Sequence, residues 1–335
     1  MAALLEVEDL TVSFARGGEV ARVVSGVSYT VEQGETLGIV GESGSGKSVH
    51  VLAMLGLLPS PPGDVEAGRV WFGGRDLLRL PPSSLRDVRG GQIGLVFQDP
   101  MTALNPVLTI GRQIGDGLTR HRRLSRRAAR ARAAELLAMV GIAQPERRLD
   151  QFPHEFSGGM RQRVMIAIAI ACEPALLIAD EPTTALDVTV QGQILDLLGT
   201  LKQRLGMTMI WITHDMGVIA AIADRVQVMY AGHVMERGPA RAVFHDPRNA
   251  YTWSLLRALP HAERAPGGRL LQIPGQPPDP FNPPPGDPFA PRNPFATQRC
   301  FREMPPLRPV PGGPPDHLAA AWYDLPSLLA EKAPA

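Results

Sequence analysis

The chain has 335 residues, 44% of them hydrophobic, enough to bury a sizeable core and, as a length prior, to form about two domains. Lysine and arginine number 34 against 33 acids, so the formal charge of +1 offers no global field for nucleic acid or acidic lipid. Two cysteines, Cys172 and Cys300, exclude a disulfide framework and any site that needs several thiolates from one chain. No apolar run reaches the roughly 18–20 residues of a membrane span, and the start MAALLEVEDL lacks a basic n-region. A soluble, cytosolic chain is expected.

In chain order, the first 35 residues and Ala67–Phe72 read as antiparallel strands with turns, a small β layer. Short apolar runs at Thr36–Val40, Ile93–Phe97, Ala175–Ala179, Thr208–Thr213 and Arg225–Tyr230 read as buried strands. Helical patterns lie between several of them, at Ser48–Leu58, Ser125–Val140, Gly159–Ala171 and Val190–Leu205. That alternation predicts an α/β domain with a largely parallel sheet. Seven arginines and His121 crowd Arg120–Arg132, but no aromatic interleaves with them, and the run reads as a solvated helix face. From Pro260 to Ala335 there are 20 prolines and 6 glycines in 76 residues, above the roughly 25–30% that marks low complexity. Phe281, Phe289, Phe295, Phe301, Trp322 and Tyr323 lie in the same stretch, which predicts an irregular but packed extension, with its boundary near Leu259.

Chemistry concentrates first in Gly41-Glu42-Ser43-Gly44-Ser45-Gly46-Lys47-Ser48, after an expected strand and at the head of an expected helix. This is a P-loop context: glycines let backbone N–H groups curl around phosphates, and the helix N-terminus adds partial positive charge. Lys47 is placed to reach the β- and γ-phosphates and the Ser48 hydroxyl to ligate Mg²⁺. A second apolar run ends in Asp180-Glu181. Beside a P-loop it reads as a Walker B strand, one carboxylate holding Mg²⁺ through its water shell and the next polarising the attacking water.

Phe156-Ser157-Gly158-Gly159-Met160-Arg161-Gln162-Arg163, with Ser157 23 positions before Asp180, resembles the signature motif of the ABC ATPases. Its serine and glycine pair at a helix start make an anion site. The resemblance implies that Ser157, Gly158, Gly159 and Gln162 meet the γ-phosphate of ATP held by an opposite subunit. It also assigns Gln98 as the Q-loop glutamine near Mg²⁺, Asp187 in Ala185-Leu186-Asp187 to the D-loop, and His214 as the switch histidine. Phe14 resembles the aromatic that stacks on adenine, although it could equally belong to the core. Gly41 to Val49 and Gln98 are the remaining expected ATP contacts, and Glu181, His214 and Lys47 the expected catalytic residues.

Asn249-Ala-Tyr251-Thr252-Trp253, Ile273-Pro274-Gly275 and the proline-rich tail resemble the oligopeptide/dipeptide importer branch. That implies a RecA-like α/β core with an antiparallel β layer in residues 1–259, a helical subdomain near residues 100–160, and a Pro-rich extension over 260–335. It further implies a peripheral subunit at the cytoplasmic membrane face, ATP and Mg²⁺ as ligands, and a second ABC ATPase, a different chain in preference to an identical one. Two transmembrane permeases and, indirectly, a solute-binding protein complete the expected partners, with no nucleic acid. Asp99–Pro106 is the implied permease-docking segment. Rival readings are a soluble ABC ATPase of DNA repair or translation, a non-hydrolysing nucleotide sensor, or an importer of nickel, glutathione or short sugars. Many members of the branch carry cysteines in the tail, some with an iron–sulfur cluster. Here Asp287 and Asn293 stand at two of those positions and Cys300 is the remaining thiol, so no cluster is expected.

Overall fold

The computed structural model describes residues 3–184, 186–259 and 271–332. Ala185 of the D-loop and the expected boundary residue Pro260 lie outside them. Along the chain run β1 (Leu5–Arg16), β2 (Glu19–Val31), β3 (Thr36–Val40), β4 (Gly63–Phe72), β5 (Arg75–Asp76) and β6 (Ile93–Val96). They are followed by β7 (Leu176–Asp180), β8 (Thr208–Thr213), β9 (Arg225–Tyr230), β10 (His233–Pro239), β11 (Leu307–Pro309) and β12 (Leu318–Ala320). The chain forms two compact units, one of Met1–Val31, Glu35–Leu78 and Thr213–Ala335, the other of Glu32–Gly34 and Arg79–Ile212.

In the first unit an antiparallel sheet has the order β2-β1-β4-β5. Val27, Tyr29 and Val31 on β2 are buried while the residues between them are partly open, the period-two alternation of a half-covered strand. A second run has the order β11-β12-β10-β9-β3, with β3 parallel to β9 and the other pairs antiparallel. All five residues of β3 are buried, as a strand covered on both faces requires. The helix after the P-loop, Lys47–Met54, is shorter than its apolar pattern suggests, because Gly56 at φ 57 turns the chain out just past its end.

The second unit holds the parallel run β8-β7-β6 and most of the helices. Ile110, Ile114 and Leu118 form the buried stripe of helix Ile110–His121. Ser125 caps the next helix, Arg126–Met139, its hydroxyl accepting from the Ala128 N–H. The arginine run is therefore divided between two helices. Arg120, Arg130 and Arg132 reach Asp87, Asp150 and Glu173 at 2.7–3.1 Å on the surface, pairs worth about 0–1 kcal/mol each.

The extension is more regular than its composition suggests. Three-residue β12 pairs with β10, and β11 pairs with β12. Fully buried Glu236 on β10 accepts from His317 Nε2 at 2.8 Å and from the backbone N–H groups of Arg248 and Asn249. Asn249 returns its side-chain amide to the Ala320 carbonyl at 2.6 Å. Phe289 closes an aromatic cluster with Tyr230 and Tyr251, ring centroids 4.5–5.4 Å apart, and Phe295 meets Trp253 edge-on at 5.3 Å. Arg16 lies over the Phe281 ring, and Trp322 lies under Arg299 and Arg308. Phe301 does not share in this packing and is 49% exposed.

Asp287 and Asn293 close turns, their side-chain oxygens accepting from the Phe289 and Phe295 N–H groups, both at 2.9 Å. Asn293 also donates to the Tyr323 hydroxyl at 3.1 Å, and Cys300 is buried beside Thr297. Among the described residues no group of three or more His, Cys, Asp or Glu side chains could hold a metal.

Asp287 is 1% exposed, and burial raises its carboxyl from the ordinary 3.8 to about 6. The folded state thus holds the proton more tightly than the unfolded chain, so the ionised group costs stability increasingly as pH rises from about 4 through 6. Asp287→Asn keeps the acceptor for Phe289 and removes the charge. Thermal unfolding should show the variant more stable at pH 8 by up to about 3 kcal/mol, with the gain vanishing near pH 4. An equal difference at both pH values would contradict this assignment.

Candidate nucleotide site

At two of its glycines the P-loop is shaped by contacts that leave no room for a side chain. A Cβ on Gly41 would lie 2.0 Å from the Met229 carbonyl oxygen, and one on Gly46, at φ 94, would lie 2.6 Å from that of Val23. Ser45 anchors the turn through its backbone, its carbonyl accepting from Gly232, while its buried hydroxyl has no partner. Lys47 is buried and bends back, Nζ donating to the carbonyls of Gly41 at 2.7 Å and Glu42 at 2.9 Å. Ser43 and Gly44 are exposed, and Ser48 and Val49 are half-buried in the first helical turn. A narrow loop of glycines with an orphaned hydroxyl and an inward lysine fits a polyphosphate.

Glu42 departs from the expected set. Its N–H donates to the Tyr251 hydroxyl at 2.8 Å, and its carboxylate accepts from both terminal nitrogens of Arg292, at 2.7 and 3.0 Å. Amide and carboxylate both face the C-terminal part of the chain, so Glu42 anchors the start of the loop. Tyr251 is itself buried, and burial pushes its phenol far above the usual range, keeping the hydroxyl neutral.

Behind the loop, buried His50 sits between the Gly46 carbonyl at 3.3 Å and the Tyr29 hydroxyl at 3.1 Å. Burial lowers its imidazole from 6.5 to about 4, so it remains neutral near pH 7. A cavity of about 260 Å³ opens beside the loop, lined among others by Arg22, Ser43, Gly44, Tyr230 and Pro278. Phe14 is half-buried on β1, with Gly63 approaching its ring edge. His214 is exposed directly after β8, and Asp215 next to it caps the following helix through the Gly217 and Val218 N–H groups.

In the second unit, Asp180 is buried at the end of β7, and Glu181 follows at φ 45. A left-handed glutamate is a strained backbone, costing of order 1–3 kcal/mol. It is held by the Ile212 carbonyl, which accepts from the Glu181 N–H at 2.9 Å. Its Oε2 accepts from the Thr184 hydroxyl at 2.8 Å and from the exposed Gln98 amide at 3.3 Å. Gln98 and Glu181, 83 residues apart, are thereby brought together.

Ser157 caps helix Gly158–Ile170, its hydroxyl 3.4 Å from the Met160 N–H, and Ser157 and Gly158 are exposed. Gln162 lies deeper than the other signature residues. It is 1% exposed, on the same helix face as buried Met165 and Ile166. Asp187 is exposed and caps Val188–Leu205, accepting from the Val190 N–H at 2.9 Å.

Residues 24–184 match the family model of the ABC transporter, and residues 235–300 match the oligopeptide/dipeptide transporter C-terminal region. The chain is 51% identical, over 95% of its length and 88% of the relative's, to the oligopeptide transport ATP-binding protein OppD of Bacillus subtilis (strain 168). It is 49% identical to the dipeptide transport ATP-binding protein DppD of Escherichia coli (strain K12), over 93% and 94% of the two chains. Among solved structures, a dimeric post-hydrolysis state of the ATP-binding cassette MJ0796 bound to ADP and Pi matches with a TM-score of 0.63. That match has 30% identity and covers 71% of this chain and 99% of the other. The P-loop geometry, the strained Glu181 and these likenesses together place the chain in the ABC transporter family, as an ATPase of the oligopeptide/dipeptide branch.

Proposed function

We propose that the chain hydrolyses ATP to power import of peptides through a membrane transporter. The supporting observation is the conjunction of an intact P-loop with an exposed Ser157-Gly158 helix start, whose N-terminal backbone N–H groups suit a phosphate. Two such ATPases would sandwich two nucleotides head to tail, each site using one P-loop and the other chain's signature. A non-identical partner is preferred. Closure with ATP and opening after hydrolysis would drive permease subunits at the cytoplasmic membrane face. No helix among the described residues is long and apolar enough to cross a membrane, so the translocation path would belong to those partners. Asp99–Pro106 would form the docking surface for those subunits, with Met101 61% exposed within it.

Within the site, Ser43 to Val49 would bind the phosphates through backbone N–H groups, and Lys47 would exchange its two carbonyl partners for the β- and γ-phosphates. Phe14 would stack on adenine. Mg²⁺ would neutralise charge developing on the phosphoryl oxygens. The Ser48 hydroxyl, the Asp180 carboxylate and the Gln98 amide are hard oxygen donors of the kind it takes. Glu181, oriented by Thr184 and Gln98, would accept the proton of the attacking water. His214 would contact the γ-phosphate, and Asp187 would lie at the subunit boundary. The tail would fold without an iron–sulfur cluster, since its two replaced positions are occupied by turn-closing Asp287 and Asn293.

Glu181→Gln should bind ATP, accumulate as a closed dimer on size-exclusion chromatography, and lose on the order of a hundredfold or more in turnover in the assembled transporter. Near-normal steady-state hydrolysis would remove Glu181 from the base role. Ser157→Arg should impair the site containing the partner's P-loop while its own P-loop still binds ATP. Full-rate hydrolysis by isolated monomers, independent of protein concentration, would contradict the composite site.

A further inference from the structure

Arg292 lies 250 residues from Glu42 in sequence, yet its guanidinium grips the Glu42 carboxylate in a two-point fork at 2.7 and 3.0 Å. The fork is fixed from its other side. Arg292 Nε donates to the Pro274 carbonyl at 2.8 Å, and one terminal nitrogen donates to the Tyr230 hydroxyl at 2.9 Å. The Arg292 side chain is 7% exposed, so it is aimed by its surroundings and is not a mobile surface cation. Beneath it, Tyr230, Tyr251 and Phe289 form one aromatic cluster, and Tyr251 holds the Glu42 N–H. A planar five-donor group buried against one carboxylate is a geometry lysine cannot reproduce.

The chemistry gives this pair a purpose. Glu42 is the only acid between Gly41 and Val49, in a loop whose task is to gather a polyanion. Left bare, its charge would oppose the incoming phosphates, and in a partly buried site a carboxylate some 10 Å from a phosphate weakens binding by about an order of magnitude. We propose that Arg292 is a positioning residue for nucleotide binding: from the C-terminal extension it masks the Glu42 charge and fixes the start of the P-loop. The inference rests on the P-loop being the ATP site. It gives the extension a direct role in nucleotide affinity.

The test is equilibrium binding of a fluorescent methylanthraniloyl-ATP with Mg²⁺ to the full chain, in two backgrounds. Arg292→Gln should raise Kd about tenfold when Glu42 is present, and about twofold or less in the Glu42→Gln background. Steady-state hydrolysis by the assembled transporter should show the loss in KM and not in kcat, as for an interaction made equally in ground and transition states. An equal loss in both backgrounds would make Arg292 a general structural tether and overturn the masking role. If Arg292→Gln does not accumulate as soluble protein, Arg292→Lys asks the same question, with a smaller loss still confined to the Glu42 background. Lys47→Ala separates the two readings: if it binds the analogue as tightly as the unchanged chain, the phosphate-site reading fails, and this inference with it.

Discussion

A loop that binds a polyanion with its backbone N–H groups has to be held in shape by atoms outside itself. The loop makes one turn of its own, from the Ser45 N–H to the Glu42 carbonyl at 3.2 Å, and the rest of its shape comes from its surroundings. Here Gly41 and Gly46 lie so close to the carbonyls of Met229 and Val23 that any side chain would force the loop apart. Lys47 fills the loop from within, and Tyr251 and Arg292 hold its first residue from the C-terminal side. Strands β3 and β9, helix Ala250–Arg257 and the extension can each be understood as parts that keep about eight residues in one conformation.

The same logic explains why a proline-rich extension is ordered. Proline lowers the entropy of the unfolded chain, so fewer contacts are needed to fix the segment. Those contacts are specific. Phe289 enters the Tyr230–Tyr251 pair, β12 adds to the edge at β10, and His317 meets Glu236 in a fully buried hydrogen bond. Glu236 also accepts two backbone N–H groups, which lets a carboxylate lie at zero exposure. The extension is thus tied to the strand that precedes it and to the helix that supplies Tyr251.

Much of the site was legible in the sequence because its chemistry is local. The P-loop, Asp180-Glu181 and the Ser157 helix start are contiguous motifs, each flanked by the strand or helix that displays it, and β3, β8 and β9 span the residues their apolar runs suggest. What escaped were facts set by distant contacts. Glu42 reads as a phosphate ligand by its place in the motif, and only the fold reveals that it faces Arg292. Gln162 reads as part of the signature, and only the fold shows that its side chain is buried. The strands β11 and β12 are three residues long, one containing Pro309, and carry no periodicity to detect. His50 had a signal in the helix pattern, as a polar residue followed by an apolar run on a buried face, but nothing in the sequence names Tyr29 as its partner.

The central claim is that the P-loop is held at Glu42 before nucleotide arrives and is completed at Ser43–Ser48 by the nucleotide itself. Hydrogen–deuterium exchange on the full chain, with and without MgATP, tests it most directly. The account predicts that the Glu42 amide exchanges slowly in both conditions, while the amides of Ser43 to Ser48 become protected on adding MgATP. A Glu42 amide exchanging as fast as that of Gly44 without nucleotide, or a loop whose exchange ATP leaves unchanged, would contradict it.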